Sequence, residues 1–283
     1  MSSICILTDS TAQFPQIGFS GRNDVRIVPF NIEMNGQIYG EGQEIRTTDL
    51  PSSANDPLHP RLIAPSAAYF QDLYTNLGQH YSDIITILIS SGINPTIYAN
   101  AQKAAESVRG RIRVSTIDSQ TTSIGLGLLV QAAAEAMANG RSAADIERMI
   151  RSMIPHIYMM ICTPGMSYLA NAGLVDSGQA FVSEMLNLMP IFTLEEGQLS
   201  AVEKVRNPRG LLDFMQEFIM EFDDLLHIAF IQGTPALTHE ARMMREHAQS
   251  CFAHTPFSEH TIQPHLAAIL GPRTVGLVAV EKV

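Results

Sequence analysis

Two rhythms of apolar and polar residues divide this chain. In its first half, short branched apolar runs alternate with segments whose apolar positions recur at helical spacing. Ile4–Thr8, Val25–Phe30, Ile84–Ile89 and Val114–Asp118 read as strands. Ala67–Leu77, Thr96–Val108, Ile124–Ala138 and Ala143–Ile154 read as helices. This alternation predicts an α/β domain with a parallel sheet covered on both faces. Ser66 and Ser142 stand where N-caps belong, and Ser142-Ala143-Ala144-Asp145 has the form of a capping box. Thr48–Ala64 breaks the rhythm: Pro51, Pro57 and Pro60 among small polar residues predict a surface loop.

The second half reads differently. Strands are expected at Ile157–Cys162, Pro190–Thr193, Leu199–Val205, Ile228–Ile231 and Val275–Val280, with Glu195-Glu196-Gly197 as a hairpin turn. Helices are expected over Gln179–Leu188, Pro208–Leu225 and Thr238–Gln249. Leu211, Met215, Phe218, Ile219 and Phe222 form one wide apolar stripe. A mixed or antiparallel sheet flanked by helices fits this half. We therefore expect two domains, residues 1–155 and 156–283, with the boundary near Pro155.

One stretch carries chemistry. The run Ile84–Ile89 ends abruptly in Ser90-Ser91-Gly92, and a helical pattern follows. In an open parallel sheet such turns lie at the carboxyl edge of the strands, where ligands bind. Hydroxyls there, with the free N–H groups of the next helix, can hold an anion without Lys or Arg. Two serines that merely close a buried strand would look the same. Asp9-Ser10-Thr11 and Asp118-Ser119 follow other strands and would sit on the same edge, as caps and turns or as further polar groups of a site. No G-x-S-x-G elbow, Walker A loop or H-E-x-x-H is present, and Gly125-Leu126-Gly127 lacks the third glycine of a dinucleotide fingerprint. The nine histidines do not cluster with carboxylates at metal spacing, so no metal is expected.

Composition narrows the classes. A net charge of −10 argues against nucleic acid and anionic membranes as partners. Cys5, Cys162 and Cys251, odd in number and far apart, suit a reducing cytoplasm. The first apolar run is too short for a signal peptide, and no run approaches the ~18 apolar residues of a stable membrane insertion. Fourteen methionines, with Met149, Met153, Met159, Met160 and Met166 close together, fit either an ordinary core or a malleable apolar cavity for an acyl chain.

These motifs, in this order, resemble the DegV family, bacterial proteins that hold a long-chain fatty acid and in some members present it to a fatty-acid kinase. The likeness runs through Ile6-Leu7-Thr8-Asp9-Ser10-Thr11-Ala12 with Pro15, Val28-Pro29-Phe30 and Tyr39-Gly40-Glu41-Gly42. It continues in Pro65-Ser66 with Phe70, Ile89-Ser90-Ser91 with Thr96 and Tyr98, and Ile117-Asp118-Ser119. Tyr168-Leu169, Met189-Pro190-Ile191 with Gly197, Lys204-Val205-Arg206 and Gly271-Pro272 complete it. The resemblance implies a smaller parallel α/β domain, a larger mixed-sheet domain, and a ligand tunnel at and beyond their junction.

The chain departs from the family where ligands would bind. Leu62-Ile63-Ala64 stands for a Thr-Ser-Gln, Ile93-Asn94-Pro95 for a Leu-Ser-Gly, and Ala172-Gly173-Leu174 for a Gly-Gly-Arg. Ile269-Leu270-Gly271-Pro272-Arg273 stands for a His-x-Gly-Pro-Gly, so the histidine is missing. The resemblance then implies a rearranged head-group site using Ser90, Ser91, Asn94 and Thr96, with Arg273 or His265 in place of the histidine. Ile63, Ala64, Ile93, Ile269, Leu270, Ile161, Met166, Met185 and Ile191 would contact the lipid tail or the junction, and Arg206 a partner. The expected function is non-covalent lipid binding, with no cofactor and no catalysis. Its rivals are a degenerate member acting through protein contacts and an α/β enzyme using Ser90 or Ser91.

Overall fold

The computed structural model describes residues 3–40, 43–53 and 59–282. Glu41, Gly42 and Pro57, used above, lie outside them. In chain order come β1 (Ile4–Asp9), β2 (Val25–Val28), β3 (Asn31–Met34), β4 (Gln37–Tyr39), β5 (Arg61–Ile63), α1 (Ala67–Leu77) and β6 (Asp83–Leu88). Then follow α2 (Pro95–Ser107), β7 (Arg113–Asp118), α3 (Ser123–Ala138), α4 (Ala143–Met153), β8 (Ile157–Cys162), α5 (Ser167–Asn171) and α6 (Ser177–Met185). The last are β9 (Met189–Glu195), β10 (Gln198–Val205), α7 (Pro208–Ile219), β11 (Leu225–Gln232), α8 (Thr238–Cys251), β12 (Phe257–Thr261), α9 (Pro264–Leu270) and β13 (Val275–Glu281).

The contacts divide the chain into two units. Residues 1–31, 63–155 and 196–198 form the first, and residues 32–62, 156–195 and 199–283 the second. In the first, β2-β1-β6-β7 form a parallel sheet. Every residue of β1 and β6 is buried, as expected of strands covered on both faces. Helices α1 and α2 pack together, as do α3 and α4, and α3 lies on β1 and β6. The Ser66 hydroxyl accepts the Tyr69 N–H at 3.2 Å, capping α1. Ser142 accepts the Asp145 N–H at 3.2 Å and donates to its carboxylate at 2.6 Å, capping α4. Strand β2 stops at Val28 rather than Phe30, because Pro29 has no N–H for the ladder.

The second unit holds the mixed sheet β10-β9-β8-β13-β11-β12. Strand pairs β8–β9, β8–β13 and β11–β13 are antiparallel and β11–β12 is parallel. Glu196 and Gly197 both take positive φ, 49° and 81°, in the two-residue turn from β9 to β10. One sheet face carries Met160, Cys162, Ile191, Ile228, Phe230 and Leu277 into a core with Leu211, Met215 and Ile219 of α7 and Met244 of α8. Alternation along β8 turns Met159 and Ile161 to the opposite face.

Several elements differ from expectation. Helix α7 ends at Ile219, not Leu225, since Leu225 begins β11 and pairs with β13. The proline-rich segment is not all loop: Arg61–Ile63 forms the edge of a small sheet ordered β4-β3-β5. Asn35 and Gly36, at φ 57° and 73°, make the tight turn between β3 and β4. The same region is bound into the second unit, with Thr47 Oγ1 donating to the Ile262 carbonyl at 2.7 Å and the Tyr168 hydroxyl to the Pro51 carbonyl at 2.5 Å.

Candidate functional site

Two regions gather the residues of interest, one in each unit. In the first unit, the turn after β6 hangs on carboxylates. Asp9, fully buried at the end of β1, accepts the Ile89 N–H at 2.7 Å and the Thr11 N–H and hydroxyl at 2.9 and 2.6 Å. Burial pushes its carboxyl above the usual range, against the pull of these hydrogen bonds. Asp118, at the end of β7, accepts the Ser91 N–H at 3.1 Å, the Gln120 N–H at 3.0 Å and the Ser91 hydroxyl. The buried Ser90 hydroxyl donates to the Gly197 carbonyl at 2.5 Å and accepts the Gly92 N–H at 3.1 Å. Asn94 Oδ1 caps α2 by accepting the Ile97 N–H at 3.1 Å, and Thr96 is exposed one residue into that helix. Ile93 is buried, and Ile63 and Ala64 are half-buried. So Ser90, Ser91, Asn94 and Thr96 share one turn, and three of the four bond within the protein.

The second unit contains a cavity of about 460 Å³. Its polar wall includes Arg206, Arg273, Ser52, Ser53 and Glu184, and its apolar wall Leu188, Met189, Leu237 and Val275. Arg206 ends the segment after β10, just before the Asn207 cap and Pro208, the first residue of α7. Asn207 Oδ1 accepts the Gly210 N–H at 2.9 Å. Leu237, at the cap position of α8, offers no side-chain acceptor to the first N–H groups of that helix. Two helices of 12 and 14 residues therefore begin at this wall with their positive ends. Arg273 is placed by close backbone packing: a Cβ on Gly233 would lie 2.5 Å from the Arg273 carbonyl carbon, and Thr234 N–H donates to the Pro272 carbonyl at 2.7 Å. Gly271, at φ 96°, lies against the Tyr168 ring, where a Cβ would come within 3.2 Å. Among the described residues, neither Arg206 nor Arg273 takes part in an ion pair. Glu184 is partly committed, accepting the Ser167 N–H at 3.2 Å.

The apolar wall is shared with the main core. Val275 belongs to the core cluster, and Met189 and Leu237 pack against it beside Met160, Met215 and Met244. Of the expected tail contacts, Ile191 lies in that core, and Ile161, Met166 and Ile269 are buried elsewhere in the unit. Leu270 shares a small recess with Arg273, His265 is half-buried in the first turn of α9, and Met185 is 67% exposed at the end of α6. The structure thus joins Arg206 and Arg273, which the sequence separated into partner and head-group roles. Ser52, Leu188 and Leu237 had no signal in the sequence. The start of α7 did, in Asn207-Pro208 directly after Arg206.

Other chemistry has little footing. Burial pushes the Cys5 and Cys162 thiols up to about 11 and about 12. Among the described residues no three His, Cys, Asp or Glu side chains could share a metal ion, and no helix is long and apolar enough to cross a membrane. Gly127 is a packing glycine, not part of a nucleotide loop: a Cβ there would lie 1.8 Å from the Gln13 carbonyl oxygen.

A family model described as "Uncharacterised protein, DegV family" matches residues 3–282. A DegV domain-containing protein of Staphylococcus aureus (strain COL) is 24% identical over 283 residues, covering all of both chains. The solved structure of a fatty acid binding DegV family protein from Streptococcus agalactiae matches with a TM-score of 0.86 at 23% identity, covering all of both chains. That of a Streptococcus pneumoniae Fatty Acid Kinase (Fak) B3 protein loaded with linoleic acid matches with a TM-score of 0.84 at 13% identity, covering 99% of this chain and 100% of the other.

Proposed function

We propose that this chain, which belongs to the DegV family, is a lipid-binding protein that holds a long-chain fatty acid non-covalently in the cavity of its second unit. The observation that carries this reading is one cavity with two guanidinium groups that form no ion pair among the described residues and two helix N-termini on its polar side, and a methionine-rich core behind its apolar side. Each hydrogen bond from an arginine to a carboxylate contributes about 1.5–3 kcal/mol. Each buried methylene adds about 0.8 kcal/mol, so the chain supplies most of the affinity. About 460 Å³ is within the range of small-molecule sites, roughly 300–1,000 Å³. The fatty-acid-binding relative from Streptococcus agalactiae is consistent with this ligand class.

No covalent step belongs to the proposal. The Ser90 and Ser91 hydroxyls bond to a carbonyl and a carboxylate, neither of which is the imidazole that activates a serine nucleophile. We further propose a carrier role toward a fatty-acid kinase, supported by the Fak B3 neighbour, with the exposed Arg206 as a contact. A cytoplasmic location is part of the reading, supported by three free cysteines. The test is lipid extraction of the purified protein followed by mass spectrometry, with calorimetric titration of palmitate. Co-purifying acyl species and palmitate binding that weakens about tenfold in Arg273→Gln are expected. The absence of both acyl species and palmitate binding would refute the reading.

A further inference from the structure

We propose that this cavity selects a single-chain amphiphile whose head is a phosphate monoester over one of equal length whose head is a carboxylate. The inference rests on the lipid-holding reading and refines its head-group chemistry.

The argument is one of charge matching. Arg206 and Arg273 contribute two positive charges and Glu184 one negative charge to the cavity wall. The positive ends of α7 and α8 add about half a charge each. The first turn of α8 returns some negative charge through Glu240, whereas α7 has no acid in its first turn and carries Arg209 there. The wall is left with a surplus close to two positive charges. A carboxylate carries one negative charge, whereas a phosphate monoester carries about −1.5 to −2 at pH 7. Geometry points the same way. Three terminal phosphate oxygens give two guanidinium forks more acceptor sites to share than the two oxygens of a carboxylate. Ser52, on the same wall, adds a hydroxyl.

The test compares three ligands with the same sixteen-carbon tail: palmitate, hexadecyl sulfate and hexadecyl phosphate. Sulfate has the tetrahedral shape of phosphate but a single charge, so it separates shape from charge. Isothermal titration at pH 7.5 and low salt should show hexadecyl phosphate binding about tenfold tighter than palmitate, with hexadecyl sulfate close to palmitate. Both Arg206→Gln and Arg273→Gln should bring the phosphate-to-palmitate ratio close to one, while Arg273→Lys keeps part of it. Palmitate binding as tightly as hexadecyl phosphate would overturn the inference and leave the lipid-holding reading standing. A phosphate preference that survives both glutamine variants would also overturn it, because the selecting charge would lie elsewhere. Failure of all three ligands to bind would overturn both.

Discussion

Asp9 Oδ2 accepts the backbone N–H of Ile89 at 2.7 Å, so a carboxylate at the end of β1 holds the first residue after β6. Its other oxygen takes the N–H and hydroxyl of Thr11, and all three residues are buried. Asp9→Ala would leave these donors without acceptors, where each orphan costs about 1–3 kcal/mol. We expect a loss of about 3 kcal/mol or more in urea unfolding of the first unit, and a smaller loss for Asp9→Asn, which keeps one acceptor. Burial raises the Asp9 carboxyl above the ordinary aspartate value of 3.8. Its contribution is therefore complete below that value and fades as pH climbs through the raised one. The penalty of Asp9→Asn should be larger near pH 4 than at pH 7.5; a penalty that grows toward neutral pH would contradict this assignment.

Gly127 lies in α3 with its Cα against the Gln13 backbone, where a methyl group would sit 1.8 Å from a carbonyl oxygen. The obstacle is main chain, so no side-chain rotation relieves it. Gly127→Ala should cost more than 3 kcal/mol despite alanine's better helix propensity of about 1 kcal/mol. Gly110→Ala is the contrast. A Cβ there meets nothing within 4 Å, so its cost is the positive φ of 86° alone. Thermal melts showing Gly127→Ala no worse than Gly110→Ala would refute the packing role.

The alternating half of the fold was legible because strands buried on both faces leave continuous apolar runs, as in Ile84–Ile89. The small sheet was not, since β3 and β4 are four and three residues long and show no period; only Asn35-Gly36 marked their turn. Helices α5 and α9, of five and seven residues, are likewise too short for a helical stripe to declare itself. The site was half legible. Arg206 and Arg273 could be named as cations, but their sharing of one wall depends on the loop around Gly233 closing on the Arg273 backbone. That is a tertiary contact with no local pattern.

Leu237 offers a way to close the cavity without touching its charges. Its side chain lines the wall and packs against the core from the cap position of α8. Leu237→Trp adds bulk on the apolar side, where the acyl chain is proposed to lie. We expect palmitate affinity to fall at least tenfold, with the unfolding midpoint changed by only a few degrees. Unchanged palmitate affinity in a folded variant would move the tail elsewhere in the molecule.

His227 and His260 share one serine. Their Nε2 atoms lie 2.8 and 2.9 Å from the Ser258 hydroxyl oxygen, on the neighbouring strands β11 and β12. A hydroxyl has one proton to give, so one imidazole accepts it and the other donates its own N–H. The accepting ring must be neutral, whereas the donating ring keeps its hydrogen bond when protonated. Burial, and then the proximity of His260, push His227 down from 6.5 to about 4. Burial also lowers His260, although Glu259 opposes it. For a histidine depressed in the fold, the stabilising contribution is complete above the unfolded value of 6.5 and is lost as pH falls toward 4. With allowance for partial solvent screening, that displacement corresponds to about 2–3 kcal/mol. Urea unfolding of the second unit should therefore show stability declining between pH 6.5 and 4. His227→Gln, which keeps a hydrogen-bonding group beside Ser258 but cannot ionise, should flatten that decline. An equally steep decline in His227→Gln would shift the acid sensitivity to other groups, His260 first among them.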